Sequence, residues 1–235
     1  MRRPPLKATL AAALAFALLV GLGVWQLERL AWKETVIARI AARAKAAPQA
    51  LPPRAQWAAL RPEDYDYRRV VARGRFVPDR QVRVFRASAP GGVSGEGPGY
   101  VYLAPFETAD GVVVVNRGFA PLARADAIAP PPSRETEISG LMRPPEPRNA
   151  FTPADTPDKG LWYTRDGPAI AAALGFPQAA PFTIDADPAP GVALPRGGAT
   201  EMSIPNNHLS YAFTWFGLAG ALAVVFALWA RRRGA

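Results

Sequence analysis

The sequence has no cysteine, one histidine and three methionines. Without a thiol there is no disulfide framework, no thiolate metal site and no cysteine nucleophile. The single imidazole, His208, excludes motifs that need two histidines on one metal. It also lies against a long apolar run, so no Ser–His–Asp triad is expected. The Gly-rich stretch from Ser88 to Gly99 is not followed by GK[ST] and carries no Walker pattern for phosphate. Asp155, Asp158 and Asp166 are carboxylates in a region where acid and base work would need a pair, but no spacing organises them, and solvated surface is the reading. The chain is therefore expected not to be an enzyme. With 20% charged and 49% apolar residues it is not disordered by composition.

What the chain does have is segregation. Ala8–Leu27 holds no ionisable side chain over 20 residues, and Leu209–Ala230 is a second uncharged run, of 22. About 20 apolar residues cross a hydrocarbon core roughly 30 Å thick. Arg2, Arg3 and Lys7 precede the first run, and Arg231, Arg232 and Arg233 follow the second. The positive-inside rule then places both termini in the cytoplasm and the intervening loop on the far side. A cleavable signal peptide is the alternative for the first run, but its apolar region would be shorter, about 7–15 residues. The sequence also continues as WQLERLAWKETVIARIAARAK, with Trp25, Arg29, Trp32 and its neighbour Lys33, Val36 and Ile40 recurring every three or four residues, so a retained anchor is expected. Ala13, Ala17 and Gly21, and Gly217 and Ala221, recur at four-residue spacing; close helix packing and chance in Ala-rich spans both account for that. The net charge of +9 changes meaning accordingly. The segment 28–207 carries 22 basic and 19 acidic residues, with no basic stripe of the kind nucleic acid needs.

The fold class expected is an α+β membrane protein. A two-helix transmembrane hairpin, formed by the N- and C-terminal spans, encloses a small antiparallel β-rich periplasmic domain. The divisions are a basic N-terminus (1–7), a first span (8–27), an exported segment (28–207), a second span (208–230) and a basic C-terminus (231–235). Within the exported segment, 28–45 continues the first helix and 65–190 is the β domain. Ala47–Pro53 reads as a Pro-rich hinge. Strands are predicted at Tyr67–Phe76, Gln81–Arg86, Tyr100–Glu107, Val112–Arg117, Glu137–Met142 and Phe182–Asp185. A hairpin turn falls at Ala109–Asp110–Gly111, and a helix at Gly167–Leu174.

His208 sits in SIPNNHLSYAFTWF. Pro205 stops whatever precedes it and Asn206 or Asn207 caps the helix that follows, so His208 occupies the first turn. Tyr211 and Trp215 follow at i+3 and i+7 on the same face. An ionisable group at a membrane edge is a functional candidate, and a neutral imidazole ligates haem iron. The alternative is an interfacial belt, with polar tips in water at headgroup level. Trp25 and Arg29 fall at the same level of the first helix. Arg29 either pairs with an anionic group such as a propionate or snorkels to phosphates. Trp25 and His208 are expected to lie close across the hairpin.

Five segments in order resemble the Surfeit locus protein 1 family of cytochrome c oxidase assembly factors: GVWQLERLAWKETVI, GPGYVYLAPFE, VVVVNRGFAP, the stretch Gly140–Asp166 with FTPADTPDKGLWYTRD, and NNHLSYAFTWF. The usual aromatic pair near WYTRD is altered here to Leu161–Trp162–Tyr163. The resemblance implies a membrane-bound biogenesis factor for oxidase subunit I that binds haem A and assists its insertion or its handover from haem A synthase. The family's iron ligand falls on His208, with Tyr211 and Trp215 lining the porphyrin. Its leading Trp and Arg fall on Trp25 and Arg29, with Arg29 meeting a propionate. The partners implied are subunit I, haem A synthase and the lipid bilayer, not nucleic acid. With no Arg/Ser-rich transit stretch, a bacterial member in the inner membrane is expected, and a cysteine-free domain suits an oxidising periplasm. The competing implication is a non-haem scaffold that holds nascent subunit I through the β domain.

Overall fold

A computed structural model describes residues 5–90, 97–198, 200 and 204–234. Its elements are α1 (Leu6–Lys45), β1 (Gln49–Ala50), α2 (Pro62–Tyr65), β2 (Arg69–Phe76), β3 (Val82–Arg86), β4 (Gly99–Thr108), β5 (Gly111–Pro121), β6 (Thr136–Arg143), β7 (Leu161–Trp162), α3 (Gly167–Ala173), β8 (Thr183–Ala186) and α4 (His208–Gly234). They divide into two compact units, one from 1–39 with 204–235 and one from 40–203.

The first unit is the pair of long helices. As the sequence predicts, α1 runs without a break past the apolar stretch to Lys45, a span of 40 residues. Cations close both helices, Arg43 and Lys45 in α1 and Arg231–Arg233 in α4, where they suit the negative end of the helix dipole. Both helices are long and apolar enough to cross a membrane, and only 6% and 11% of their most apolar windows are buried. Leu10, Leu14, Leu18, Val224, Val225 and Leu228 are all exposed. A core helix of a water-soluble protein buries such side chains; these present them outward, as a helix in lipid does.

The two helices do not meet on the small-residue stripes that the four-residue spacing suggests. Ala13, Ala17, Gly21, Gly217 and Ala221 are exposed, and a side chain added at Gly21 or Gly217 would meet nothing within 4 Å. Spacing alone does not say which way a stripe faces. The close approach is at Gly23, where an added Cβ would fall 2.6 Å from the Phe216 ring.

The second unit is built on an eight-stranded mixed sheet, ordered β1-β2-β6-β8-β5-β4-β3-β7, with a further pairing of β2 to β4. That extra pairing closes β2, β6, β8, β5 and β4 into a five-stranded barrel. The closure turns on β2. Its first part pairs with β6, and its last residues pair with β4. Gly74 belongs to both ladders, opposite Thr136 and Thr108. A Cβ there would lie 1.9 Å from the Glu107 carbonyl oxygen, so only glycine admits the two neighbours at once.

Period-two alternation sorts the core into two layers. Val70, Ala72, Ala104, Phe106, Val113, Val115, Met142 and Ile184 come from all five barrel strands and fill the interior, with Trp57, Tyr65 and Phe182 packed among them. The residues between them point out. Val101, Leu103 and Val114 join Val84, Trp162 and Ile170 in a second cluster beneath α3. Both faces of β4 and β5 are therefore buried, which explains their nearly unbroken apolar sequence.

The predicted strands all exist, within one or two residues at most ends. β5 is longer than Val112–Arg117 because a bulge at Arg117 lets it continue to Pro121. The sheet is not purely antiparallel: β1–β2, β3–β7 and β5–β8 are parallel pairs. β8 inserts between β5 and β6, antiparallel to β6 and therefore parallel to β5. Ala47–Pro53 is also not a loose hinge. β1 lies within it, Leu51 and Pro52 are buried, and the Pro52 carbonyl accepts from Trp57 Nε1 at 2.9 Å. Much of the Gly-rich stretch Ser88–Gly99 lies outside the described residues.

Candidate functional site

His208 opens α4. Pro205 precedes it, and the Tyr211 amide donates to the Asn207 carbonyl at 3.2 Å, so Asn207 occupies the capping position with its main chain. The imidazole is half-buried. Its Nδ1 lies 2.7 Å from Oε1 of Gln26 on α1. Gln26 is 8% exposed, one turn on from Gly23. Two turns further along the same face, Lys33 Nζ donates to the Pro205 carbonyl. Gly23, Gln26 and Lys33 thus form one stripe of α1 that meets Phe216, His208 and Pro205 in turn. Two residues before the imidazole, the Asn206 Oδ1 atom is buried without a hydrogen-bond partner.

The other residues singled out in the sequence lie on the same two helices, a few positions from this contact in the chain. Tyr211 is 55% exposed and Trp215 half-buried on the face that follows His208. Trp25 is 50% exposed; one position before Gln26, it points about 100° around the helix from it. The residue hydrogen-bonded to His208 is thus Gln26, the neighbour of Trp25. The Arg29 guanidinium stacks 4.3 Å above the Trp32 ring, which holds it by a cation–π contact and leaves its N–H edge open to an acceptor. Sequence reasoning missed Gln26. The signal was present: it is the one amide in the apolar run Ala8–Leu27.

A second polar cluster lies in the β domain. Arg86, Asn116, Arg143, Glu146, Arg165 and Asp185 line a cavity of about 50 Å³ together with Pro90 and Val101. Arg86 Nη2 is 2.7 Å from both Glu146 oxygens, and the Arg165 amide donates to Glu146 at 2.8 Å. Arg165 Nη1 donates to Thr183 Oγ1 at 2.7 Å and to the Pro144 carbonyl at 3.0 Å. Asp185 accepts from Asn116 at 2.8 Å and Thr200 at 2.9 Å. Arg143 Nε pairs with Asp66 at 2.9 Å and stacks over Tyr67. Burial pushes the Asp66 carboxyl up, against the pull of Arg143 and Arg165. These buried charges are matched and hydrogen-bonded, as an interior requires.

The cluster gives GLWYTRD its role. Trp162 is core, Tyr163 packs against Phe85, Arg165 enters the ion network, and Asp166 caps α3 by accepting from the Ala169 amide at 3.1 Å. Asp155 accepts from Arg148 and from the Tyr163 amide, while Asp158 is exposed. Two of the three carboxylates read as solvated surface are therefore structural braces. Arg117 stands at the bulge of β5, a device that re-aims a side chain. It donates to the Ala129 and Pro130 carbonyls and to Gln81, and burial lowers its pKa to about 10.

Comparison of the sequence with known proteins covers most of the chain. The SURF1 family model covers residues 13–220. Surfeit locus protein 1 of Rattus norvegicus is 33% identical over 233 aligned residues, covering 90% of this chain and 71% of the relative. The SURF1-like protein of Drosophila melanogaster is 36% identical, with 90% and 73% covered. The SURF1-like protein of Rickettsia bellii is 28% identical, with 96% and 92% covered. The match runs from the first helix through the barrel and into the last, past His208, and the chain belongs to the SURF1 family.

Proposed function

We propose that this chain is a membrane-anchored assembly factor for haem–copper cytochrome c oxidase, which binds haem A as cargo and assists its delivery to subunit I, receiving it from haem A synthase. The family is linked to cytochrome c oxidase assembly. The observation that carries the haem reading is His208. The only imidazole of the chain is half-buried with Nδ1 engaged by Gln26, so its other ring nitrogen is the one left for a ligand. Haem iron already has four porphyrin nitrogens and needs a single protein imidazole. Tyr211 and Trp215 offer aromatic faces on the same side of α4. Trp25 and the Trp32-stacked Arg29 offer a ring and a carboxylate partner on α1. The bilayer holds the two helices, with both termini cytoplasmic and the β domain periplasmic in a bacterial inner membrane.

The test is pigment. The protein purified from cells that make haem A carries a haem spectrum, and His208→Ala loses it. An equal haem load in the variant removes His208 as ligand. A second reading, a non-haem scaffold for nascent subunit I, is favoured by Phe151. It is 94% exposed on a loop of the β domain, where an unburied aromatic ring suits a partner surface. A colourless wild-type protein that still captures subunit I decides for the scaffold.

A further inference from the structure

We infer that Gln26 is a positioning residue for His208: it fixes the tautomer that leaves Nε2 bare and thereby makes the imidazole a ligand. The inference rests on the haem reading above for its consequence, but the tautomer itself is a property of the haem-free protein.

The geometry is specific. An amide oxygen only accepts hydrogen bonds, and it is Gln26 Oε1 that lies 2.7 Å from Nδ1. The proton of the neutral ring therefore sits on Nδ1, and the lone pair on Nε2. Free histidine in water prefers the opposite arrangement, with the proton on Nε2, which cannot bind iron through that atom. Gln26 is itself held. It is buried, and its stripe is pinned one turn before by the Gly23–Phe216 approach and two turns after by Lys33 on the Pro205 carbonyl. A ligating imidazole commonly donates its second N–H to an oxygen acceptor, which sets tautomer and ring orientation and changes metal affinity about 10–100-fold. Here that acceptor is supplied from the other helix, so the ligand is competent only when the two helices are paired.

A chain with one histidine allows a direct measurement. The full chain, labelled with ¹⁵N-histidine and placed haem-free in lipid nanodiscs, gives one pair of ring nitrogens. Wild type shows a protonated Nδ1 and an unprotonated Nε2 for the neutral ring. Gln26→Leu shifts the ring toward the Nε2–H form, and Gln26→Glu, which keeps an oxygen acceptor, restores the wild-type pattern. In haem A titrations Gln26→Leu binds about 10–100-fold more weakly than wild type, and Gln26→Glu recovers most of the loss. A wild-type ring protonated on Nε2 overturns the inference, as does a Gln26→Leu protein with unchanged tautomer. If His208→Ala loses haem while Gln26→Leu binds it as wild type does, the ligand stands and the positioning role falls. If His208→Ala keeps its haem, the ligand reading falls, and the nitrogen spectra alone decide what Gln26 does.

Discussion

Glu146 shows how single side chains organise the β domain. Burial, the strongest influence, pushes its carboxyl up, but the Arg86 and Arg165 charges and the Arg165 amide outweigh it and hold the group below its ordinary value of 4.5. A carboxyl whose folded pKa lies below its unfolded one contributes stability that is fully present above the unfolded value. That contribution is lost as pH falls through the folded value. Glu146→Gln keeps the shape and removes the charge. It should cost about 1.5–3 kcal/mol at neutral pH, the range for hydrogen bonds to charged groups. The gap between wild type and variant should narrow as pH falls below 4.5. Thermal unfolding of the full chain in detergent reads this, and a gap that stays constant into acid would show that charge is not what Glu146 supplies. Asp66, whose carboxyl ends above its ordinary value because burial outweighs the pull of Arg143 and Arg165, is present in both proteins and cancels in the difference.

Between elements, glycine decides the contacts. Gly23 admits the Phe216 ring where any Cβ would sit 2.6 Å from it, whereas Gly21, half a turn away, faces open space. Gly23→Leu should destabilise the helix pair by about 1–3 kcal/mol, the usual cost of forcing extra volume into a packed contact. Gly21→Leu should leave it unchanged. Denaturant titration of the full chain in micelles distinguishes them, and equal effects would mean that the pairing does not run through the Gly23 stripe. The strands themselves were legible, because alternation in YRRVVARGRF and the turn at Ala109–Asp110–Gly111 are local signals. Barrel closure was not. It depends on Gly74 sitting between Thr136 and Thr108, residues 34 and more positions away, and a glycine in a strand says only that something comes close. β7 and β1, two residues each, are too short to show any period.

Across the whole molecule, the distribution of charge separates where the chain is anchored from where it acts. The helix pair and the prominence of His208 could be read from apolar length and from rarity. Gln26 could not be assigned a partner, since its meaning arises only when residue 26 meets residue 208. The basic residues outside the segment 28–207 number six, three before the first span and three after the second. Charges this close to the ends of a span set orientation, whereas a long connecting segment translocates largely regardless of its own charge. The near balance of 22 basic and 19 acidic residues over 28–207 is therefore no obstacle to export, and both termini should remain in the cytoplasm. A fluorescent protein that matures only in the cytoplasm should glow when fused after Ala235. Alkaline phosphatase, active only after export, should be active when inserted at the exposed loop residue Phe151 and inactive after Ala235. The reverse pattern would place the barrel in the cytoplasm and His208 on the cytoplasmic face, away from the side on which the proposed delivery takes place.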